Sequence, residues 1–183
     1  MKKFFVALLV FTLAISMSAC SLFAKPYEKP AKEFTYTVGE DTFVVTLTEA
    51  FSELQQQGFA VVYRSSPADV SVACYTDAFS AQPTIQQQNM LRGFTIADYA
   101  NSLISNGNGS FENATYVPAT DTSVAHLSHT MYNSQYDTTF AYYSALYKSE
   151  YGFWIMQFAT SEELYDTYAP YFETWAKSVS FNG

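Results

Sequence analysis

The residue types that carry enzymatic or metal chemistry are few in this sequence. Its two histidines, His126 and His129, are three residues apart, and on a helix that spacing would let both imidazoles hold one metal ion. The surrounding residues 124–131 instead have the pattern of a strand, on which an offset of three directs two side chains to opposite faces. We therefore predict structural or surface histidines and no metal site.

Motifs for nucleophilic or acid–base catalysis are missing as well. The sequence has no Gly-x-Ser-x-Gly, His-Glu-x-x-His or Cys-x-x-Cys, and no glycine-rich phosphate loop. Glu162 and Glu163 form an acidic pair such as glycoside cleavage uses, but the favourable interaction of acids with a helix start explains them. We predict no catalytic residues, no cofactor and no enzymatic activity.

Aromatic side chains are unusually frequent, at 18% of residues with fifteen Tyr and sixteen Phe. Tyrosine is amphipathic and suits contact with a protein surface or stacking on a sugar. The candidate binding residues are the late tyrosines Tyr132, Tyr136, Tyr143, Tyr147 and Tyr151. The alternative is structural, because a sheet with two apolar faces under a Tyr-rich helix needs the same residues. The sequence leaves both readings open.

Cys74 has the surroundings of a structural thiol. It alternates with two valines in residues 70–75, which predicts a small buried side chain on a strand. No cation or helix start stands next to it in the sequence to activate the thiol. We predict that Cys74 is buried and inert.

Cys20 ends a different pattern. Lys2 and Lys3 precede an apolar run over 4–15, and Met17-Ser18-Ala19-Cys20 follows. This layout is typical of a secretory signal, and the run is too short for a membrane span. The last four residues resemble the lipobox of bacterial lipoproteins, with Met17 where Leu is usual. The resemblance implies cleavage before Cys20, acylation of Cys20, and an extracytoplasmic protein anchored to the bacterial membrane by lipid.

The chain is predicted to have three parts: a signal peptide (1–19), a lipidated tether (20–33) and one globular domain (34–183). Removal of the signal leaves 164 residues, of which seven are basic and seventeen acidic, for a formal charge of −10. That length suffices for one domain with its own core. The acidic protein would repel the negatively charged phosphate backbone, so nucleic acid is a poor partner for this protein.

Local patterns predict the first elements of the domain. Alternating aromatic and β-branched residues favour a hairpin over 34–47, followed by strands over 59–64 and 70–78. Residues 48–57 are predicted to form a short helix, and the Gln-rich segment 81–93 a loop with a helical turn. Thr95 and Asp98 form a capping box for a helix that ends near residues 106–109.

The second half adds strands over 111–117, 124–132, 138–148 and 151–160, the last two apolar on both faces. Ser161 is the predicted N-cap of a final helix, which has an apolar stripe and Pro170 as a source of kinking. Short turns between the strands favour antiparallel pairing. The predicted fold class is α+β, with a mainly antiparallel sheet of about seven or eight strands flanked by helices.

The order of these elements resembles the PsbP-like family. The matching segments are the opening hairpin, the strand end at 63–65, the helix at 96–100, the hairpin at 147–154 and residues 171–181. The resemblance covers residues 34–181 and implies an α/β/α sandwich. Family members include a photosystem II extrinsic protein and a nuclear-transport factor that binds the Ran GTPase, so the resemblance implies binding or assembly rather than catalysis. It transfers no site residue.

The expected function is therefore non-catalytic docking of a protein or envelope component by a lipid-anchored domain. The expected partners are the bilayer, through acylated Cys20, and an unidentified envelope protein. Two alternatives remain open, a small-ligand or glycan receptor that uses the same tyrosines, and an envelope hydrolase. An exposed, flat Tyr patch would favour a protein partner, and a deep cleft lined by aromatic residues would favour a small ligand. A histidine beside a serine or an acid would favour the hydrolase.

Overall fold

The structure, a computed structural model, describes residues 25–106, 111 and 113–182. The predicted signal peptide and Cys20 lie outside this part of the chain. The strands are β1 (Ala31–Val38), β2 (Asp41–Thr48), β3 (Phe51–Leu54), β4 (Val61–Ser65), β5 (Ser71–Ala78), β6 (Thr115–Val117), β7 (His126–Asn133), β8 (Thr138–Lys148), β9 (Gly152–Ser161) and β10 (Ser180–Asn182). The helices are α1 (Ile85–Gly93), α2 (Ile96–Asn106) and α3 (Glu162–Lys177).

The strands pair antiparallel and build two sheets. The larger sheet has the order β3-β4-β5-β9-β8-β7-β6, and the smaller has the order β1-β2-β10. The centre of the larger sheet is formed by β9 and β8, which are buried on both faces over most of their length. The predicted fold class, α+β with a mainly antiparallel sheet, is confirmed, with the strands divided between two sheets.

Different elements cover the two faces of the larger sheet. The first face packs against α3 and the smaller sheet, and Phe158 of β9 stacks on Phe172 of α3 with 5.2 Å between ring centroids. The second face packs against α2, where Tyr99 stacks on Phe153 at 4.2 Å. Removal of these aromatic surfaces from water gives the domain an apolar core on each side of the sheet.

The helix predicted over 48–57 is wrong. The chain turns after β2, and Phe51 begins β3, which pairs with β4. Phe51 is buried and packs edge-on against Trp175 of α3 at 5.2 Å. Burial of one aromatic side chain stabilises by more than the small helix propensities of the exposed residues around it, so the tertiary contact decides the structure.

Three further segments differ from their predictions. Most of the predicted loop at 81–93 forms α1, and the strand predicted over 111–117 is limited to β6. The sequence pattern does not predict β10, which pairs with β2 in the smaller sheet. Three residues are too few to show a strand pattern, and the partner strand lies near the opposite end of the described chain.

Two helix starts test the predicted caps. The N–H of Thr95 donates to Asp98 Oδ2 at 2.9 Å, and the N–H of Asp98 donates to Thr95 Oγ1 at 3.1 Å, which confirms the capping box. Ser161 occupies the N-cap position of α3, as predicted, but its hydroxyl makes no capping hydrogen bond. Ser161 is still paired in β9, opposite Phe140, and the pairing directs its side chain away from the helix start.

The folded domain begins earlier than the predicted boundary at residue 34. β1 begins at Ala31, and Pro26 is buried ahead of it. Residues 25–33, predicted as part of the tether, therefore belong to the domain. The sequence pattern misses this because the packing partners of these residues lie far away along the chain. Among the described residues, no helix has the length and apolar character that a membrane span requires.

Candidate functional site

The two histidines lie on opposite faces of the larger sheet, as the strand pattern predicts. His126 stacks on Tyr143 on the first face with 4.1 Å between ring centroids, and His129 stacks on Tyr142 on the second face at 4.7 Å. Within the described part of the chain, no three metal-ligating side chains come together. The histidines therefore do not share one reactive centre.

His129 is enclosed by aromatic rings. Phe111 contacts it edge-on at 5.3 Å, in addition to the stacked ring of Tyr142. Burial lowers the pKa of His129 to about 4, so its imidazole is neutral at pH 7. Both ring nitrogens are buried without a hydrogen-bond partner. Each such unsatisfied group costs about 1–3 kcal/mol, so this histidine lowers the stability of the fold.

Two of the predicted binding tyrosines support the core instead. Tyr143 is 2% exposed, and its hydroxyl is buried without a hydrogen bond. Tyr147 donates to the carbonyl oxygen of Ala176 at 2.7 Å and ties β8 to the end of α3. Burial raises the pKa of both phenols. The assignment of Tyr143 to a binding surface is wrong, because α3 covers the face on which it lies.

The other three tyrosines do not share a surface. Tyr132 is 59% exposed beside the β7–β8 turn and donates to Asp137 Oδ1 at 2.6 Å. Tyr136, in the same turn, packs against the cluster around Phe140. Tyr151 lies in the β8–β9 turn, at the opposite end of β8. A strand of that length separates its ends by about 30 Å, so the tyrosines form neither one patch nor one cleft.

Cys74 is buried, and burial raises the pKa of its thiol. A thiol that is both inaccessible and protonated is inert, which agrees with the structural role predicted for it.

A row of polar side chains crosses the second face of the larger sheet. Tyr75 Oη donates to Gln157 Oε1 at 3.2 Å, and Gln157 Nε2 donates to Ser144 Oγ at 3.1 Å. Ser71 Oγ on β5 is buried nearby without a partner. Together with His129, these are the polar groups that a small ligand would meet on this face.

A serine and an acid come together where the smaller sheet meets the β8–β9 turn. Ser149 Oγ donates to Asp41 Oδ2 at 2.5 Å, and Trp154 Nε1 donates to the same oxygen at 2.9 Å. The Ser149 hydroxyl also accepts from the backbone N–H of Gly152 at 3.0 Å. No histidine completes the pair, since both histidines are on β7. Asp41 and Ser149 therefore join the two sheets and do not form a nucleophile with its base.

The helix α1 exposes two of its three apolar side chains to solvent, while the third, Leu91, packs against the core beneath α2. None of its residues is buried, Ile85 is 75% exposed and Met90 is 52% exposed. Residues 85–91 carry no charged side chain. A helix of this length is marginal in water on its own, so its attachment to the domain has to hold it. We call the outer side of this helix the α1 surface: Ile85, Gln86, Asn89 and Met90.

The attachment is at the C-terminal end of α1. Lys148 Nζ, at the end of β8, donates to the carbonyl oxygens of Arg92 and Phe94, both at 2.7 Å. The Arg92 guanidinium lies over the ring of Phe79 at 5.1 Å. A cation on the last carbonyls of a helix satisfies acceptors that the helix leaves open. The helix is thus fixed at one end, while the α1 surface faces outward.

The α1 surface is the feature that the sequence pattern misses, although a signal for the helix was present. Thr84 Oγ1 accepts from the N–H of Gln87 at 3.2 Å and donates to Gln87 Oε1 at 2.9 Å. Thr and Gln at this spacing, with Gly93 at the other end, are recognisable start and stop signals. The helix has no buried stripe, and without one the hydrophobic pattern gives no sign of it.

Comparison with known proteins finds a likeness to solved structures alone. The chain matches no protein-family model and no curated protein. Among solved structures it is similar to the solution structure of cyanobacterial PsbP (CyanoP) from Synechocystis sp. PCC 6803, at 12% identity and a TM-score of 0.47, over 91% of this chain and 99% of that chain. A structure from the family that the sequence resembles is thus among the similar ones, and a likeness this low carries no argument about a site or a function.

Proposed function

We propose that this protein is a lipid-anchored, extracytoplasmic docking protein without catalytic activity, which binds a partner protein through the α1 surface. The observation that supports docking is the exposure of Ile85 and Met90 on a short helix that buries none of its residues and carries no charge over residues 85–91. One exposed apolar side chain needs no explanation, but α1 places only Leu91 against the core and leaves its two other apolar side chains in solvent, which supports a contact role for its outer surface.

The chemistry of this surface favours a protein partner. A helix surface is convex, so it fits a groove or depression on another protein rather than enclosing a small ligand. Gln86 and Asn89 place amide donors and acceptors beside the two apolar side chains, and a methionine adapts to an irregular partner surface. The contact itself is uncharged, while the acidic remainder of the mature chain would steer a basic partner towards it.

The anchoring part of the proposal is supported by the lipobox-like residues that end at Cys20. Acyl chains would hold an acidic protein at a bilayer whose anionic headgroups its charge alone would not attract. Mass spectrometry of the N-terminal peptide from the membrane fraction is expected to show an acylated Cys20 with residues 1–19 removed. Cys20→Ala is expected to abolish acylation. An unmodified Cys20 with residues 1–19 still attached would contradict anchoring.

Docking is tested by crosslinking in native membranes. A photo-reactive amino acid at position 86 is expected to give a discrete crosslinked protein, and the double change Ile85→Ser with Met90→Ser is expected to abolish it. The matched control is Leu54→Ser, which changes a side chain that is 41% exposed on β3. Both variants should keep the wild-type melting temperature, because exposed side chains contribute little to folding. A crosslink that survives the double change would exclude the α1 surface.

A small-ligand receptor is the second candidate, and the buried polar atoms of Ser71 and His129 that lack partners favour it. They lie on β5 and β7, with β9 and β8 between them, so a ligand touching both would span about 14 Å of sheet. A thermal-shift screen of sugars and amino acids tests this candidate. A shift in melting temperature that His129→Phe removes would support it, and the absence of any shift would leave docking as the better account.

A further inference from the structure

Pro26 and Tyr27, which follow the predicted lipid attachment site at Cys20 by six and seven positions, are packed on the domain. Tyr27 stacks on Tyr171 of α3 with 4.2 Å between ring centroids and 7° between planes, and it meets Tyr168 edge-on at 5.5 Å. Pro26 beside it is buried. Aromatic pairs of this kind stabilise by about 0.5–1.5 kcal/mol beyond the area they bury. We call residues 25–30 the arm.

Polar contacts hold the arm along its length. Thr48 Oγ1 donates to the carbonyl oxygen of Pro26 at 2.7 Å, and the N–H of Glu49 donates to the carbonyl oxygen of Pro30 at 2.8 Å. Lys25 Nζ lies 3.8 Å from Asp69 Oδ2. A segment with buried, aromatic and hydrogen-bonded contacts at successive residues is not a free linker.

The arm lies at one end of the larger sheet. Asp69 belongs to the β4–β5 turn, and the β7–β8 turn and the first residues of α3 are at that same end. The β8–β9 turn and the attachment of α1 to Lys148 are at the other end. We call these two poles the arm end and the α1 end, and the length of β8 separates them by about 30 Å.

We infer that the arm orients the domain on the membrane, with the arm end against the lipid headgroups and the α1 end pointing away. This inference rests on the proposed acylation of Cys20. Five residue steps lead from Cys20 to Lys25, and a fully extended chain of that length spans at most about 18 Å. Because the arm is docked from Lys25 onward, the arm end stays within about 18 Å of the lipid anchor. A free tether up to residue 33 would instead allow any orientation of the domain.

The charges at the arm end are mostly acidic. Lys29 and Lys32 are exposed there, but so are Glu28 and Glu49, and the first residues of α3 and the β7–β8 turn add Glu162, Glu163 and Asp137. A pole with this excess of acids gives no net attraction to anionic headgroups, so the arm and its anchor, and not electrostatic attraction, set the orientation. The orientation is therefore expected to persist in 0.5 M salt, which screens these charges.

The orientation is measured on the acylated protein in phospholipid vesicles. Gln135→Cys in the exposed β7–β8 turn and Gln86→Cys on α1 each take a fluorescent maleimide, while Cys74 is buried and stays unlabelled. A nitroxide carried on the lipid headgroup is expected to quench the label at position 135 at least about twofold more than the label at position 86, because about 30 Å of sheet separates them. Equal quenching at both positions, on protein shown to be acylated, would overturn the inference and leave the anchoring proposal intact.

The role of the arm is tested by Tyr27→Ala, which removes the stack on Tyr171 and is expected to bring the two quenching values together. Tyr151→Ala, at the α1 end, is the matched control and is expected to leave them apart. If Tyr27→Ala keeps the full difference, the arm does not set the orientation. If Cys20 carries no lipid, the inference fails together with the proposed function, and the mass of the N-terminal peptide distinguishes that case.

Discussion

At the scale of single residues, Asp41 shows how a chemically capable group can serve the fold. Asp41 is buried and accepts hydrogen bonds from Trp154 of the larger sheet and from Ser149 in the β8–β9 turn. Asp41→Ala leaves both donors without their acceptor and is expected to lower the free energy of unfolding by about 3 kcal/mol. Urea denaturation measures the loss.

The control for Asp41 is Asp137→Gly, because glycine accepts the left-handed backbone of this residue, φ 49°, without strain. Asp137 also accepts from an aromatic residue, Tyr132, but this pair is exposed. Water replaces the lost contact there, so the expected change is within about 0.5 kcal/mol. Equal effects at the two positions would contradict the role of Asp41 in joining the sheets.

His129 gives a prediction about pH. Its pKa is lowered from 6.5 to about 4 in the folded chain, so between these values the unfolded chain binds a proton that the folded chain does not. The stability linked to this group is fully present above pH 6.5 and is lost as the pH falls towards 4, by at most about 3 kcal/mol. His129→Phe keeps an aromatic ring on Tyr142 and is expected to remove this part of the pH dependence.

Denaturation of both proteins at several pH values measures the difference. At pH 7 the variant should be at least as stable as the wild type, because it no longer buries two unsatisfied nitrogens. Parallel curves for wild type and variant between pH 6.5 and 4 would count against a buried neutral imidazole.

Residue-level prediction from sequence succeeds where one strand decides the answer. The alternation along β7 alone separates His126 from His129, and that along β5 places Cys74 inside. It fails for Tyr143, which lies on a strand that is buried on both faces, because an amphipathic aromatic residue looks the same in the sequence whether it supports a core or forms a contact surface.

At the scale of elements, Gly152 is required where β9 begins beside β5. A Cβ at this position would lie 2.7 Å from the carbonyl oxygen of Asp77 and 3.0 Å from Cα of Ala78. Backbone atoms of a paired strand cannot move aside cheaply, so Gly152→Ala is expected to cost about 2 kcal/mol or more. Gly93→Ala, where a Cβ would meet nothing within 4 Å, is the control and is expected to be neutral or stabilising. Thermal denaturation compares the two, and equal melting temperatures would contradict the contact.

The caps of α1 and α2 have the same chemistry but different consequences. Thr84→Ala removes the cap of a helix with no buried residue, so faster amide exchange in α1 is expected with almost no change in global stability. Thr95→Ala weakens a helix that supplies Tyr99, Ala100 and Leu103 to the core, so it is expected to lower global stability by about 1 kcal/mol. Hydrogen exchange and urea denaturation together check the contrast. A large global loss in Thr84→Ala would mean that α1 supports the core after all.

Elements are predictable from sequence where patterning and burial agree. The central strands β8 and β9 and the helix α3 have strong apolar patterns, and the structure places them close to their predicted bounds. The segment at 48–57 has helical composition but one buried aromatic residue, and α1 has caps but no buried stripe. In the first case the burial of that residue against α3 decides the structure, and in the second the helix forms although most of it is exposed. Neither is visible in the local sequence pattern.

At the scale of the whole molecule, the α+β fold class and the layering of helices on a sheet follow from the sequence, but the positions of the arm end and the α1 end do not. Two apolar faces on the central strands require cover on both sides, which predicts helices around a sheet. The position of the arm depends on contacts between residues 25–30 and α3, more than a hundred residues away along the chain. Because of those contacts, residues 25–30, predicted as part of a tether, are part of the folded domain.

The pairing of β10 with β2 has a consequence for biosynthesis of the domain. Phe181 faces Phe43 in this ladder, so the smaller sheet joins residues from the two ends of the domain. A nascent polypeptide that lacks its last strand therefore leaves one edge of β2 unpaired, and the smaller sheet is completed only after residues 180–182 have been synthesised and released from the ribosome.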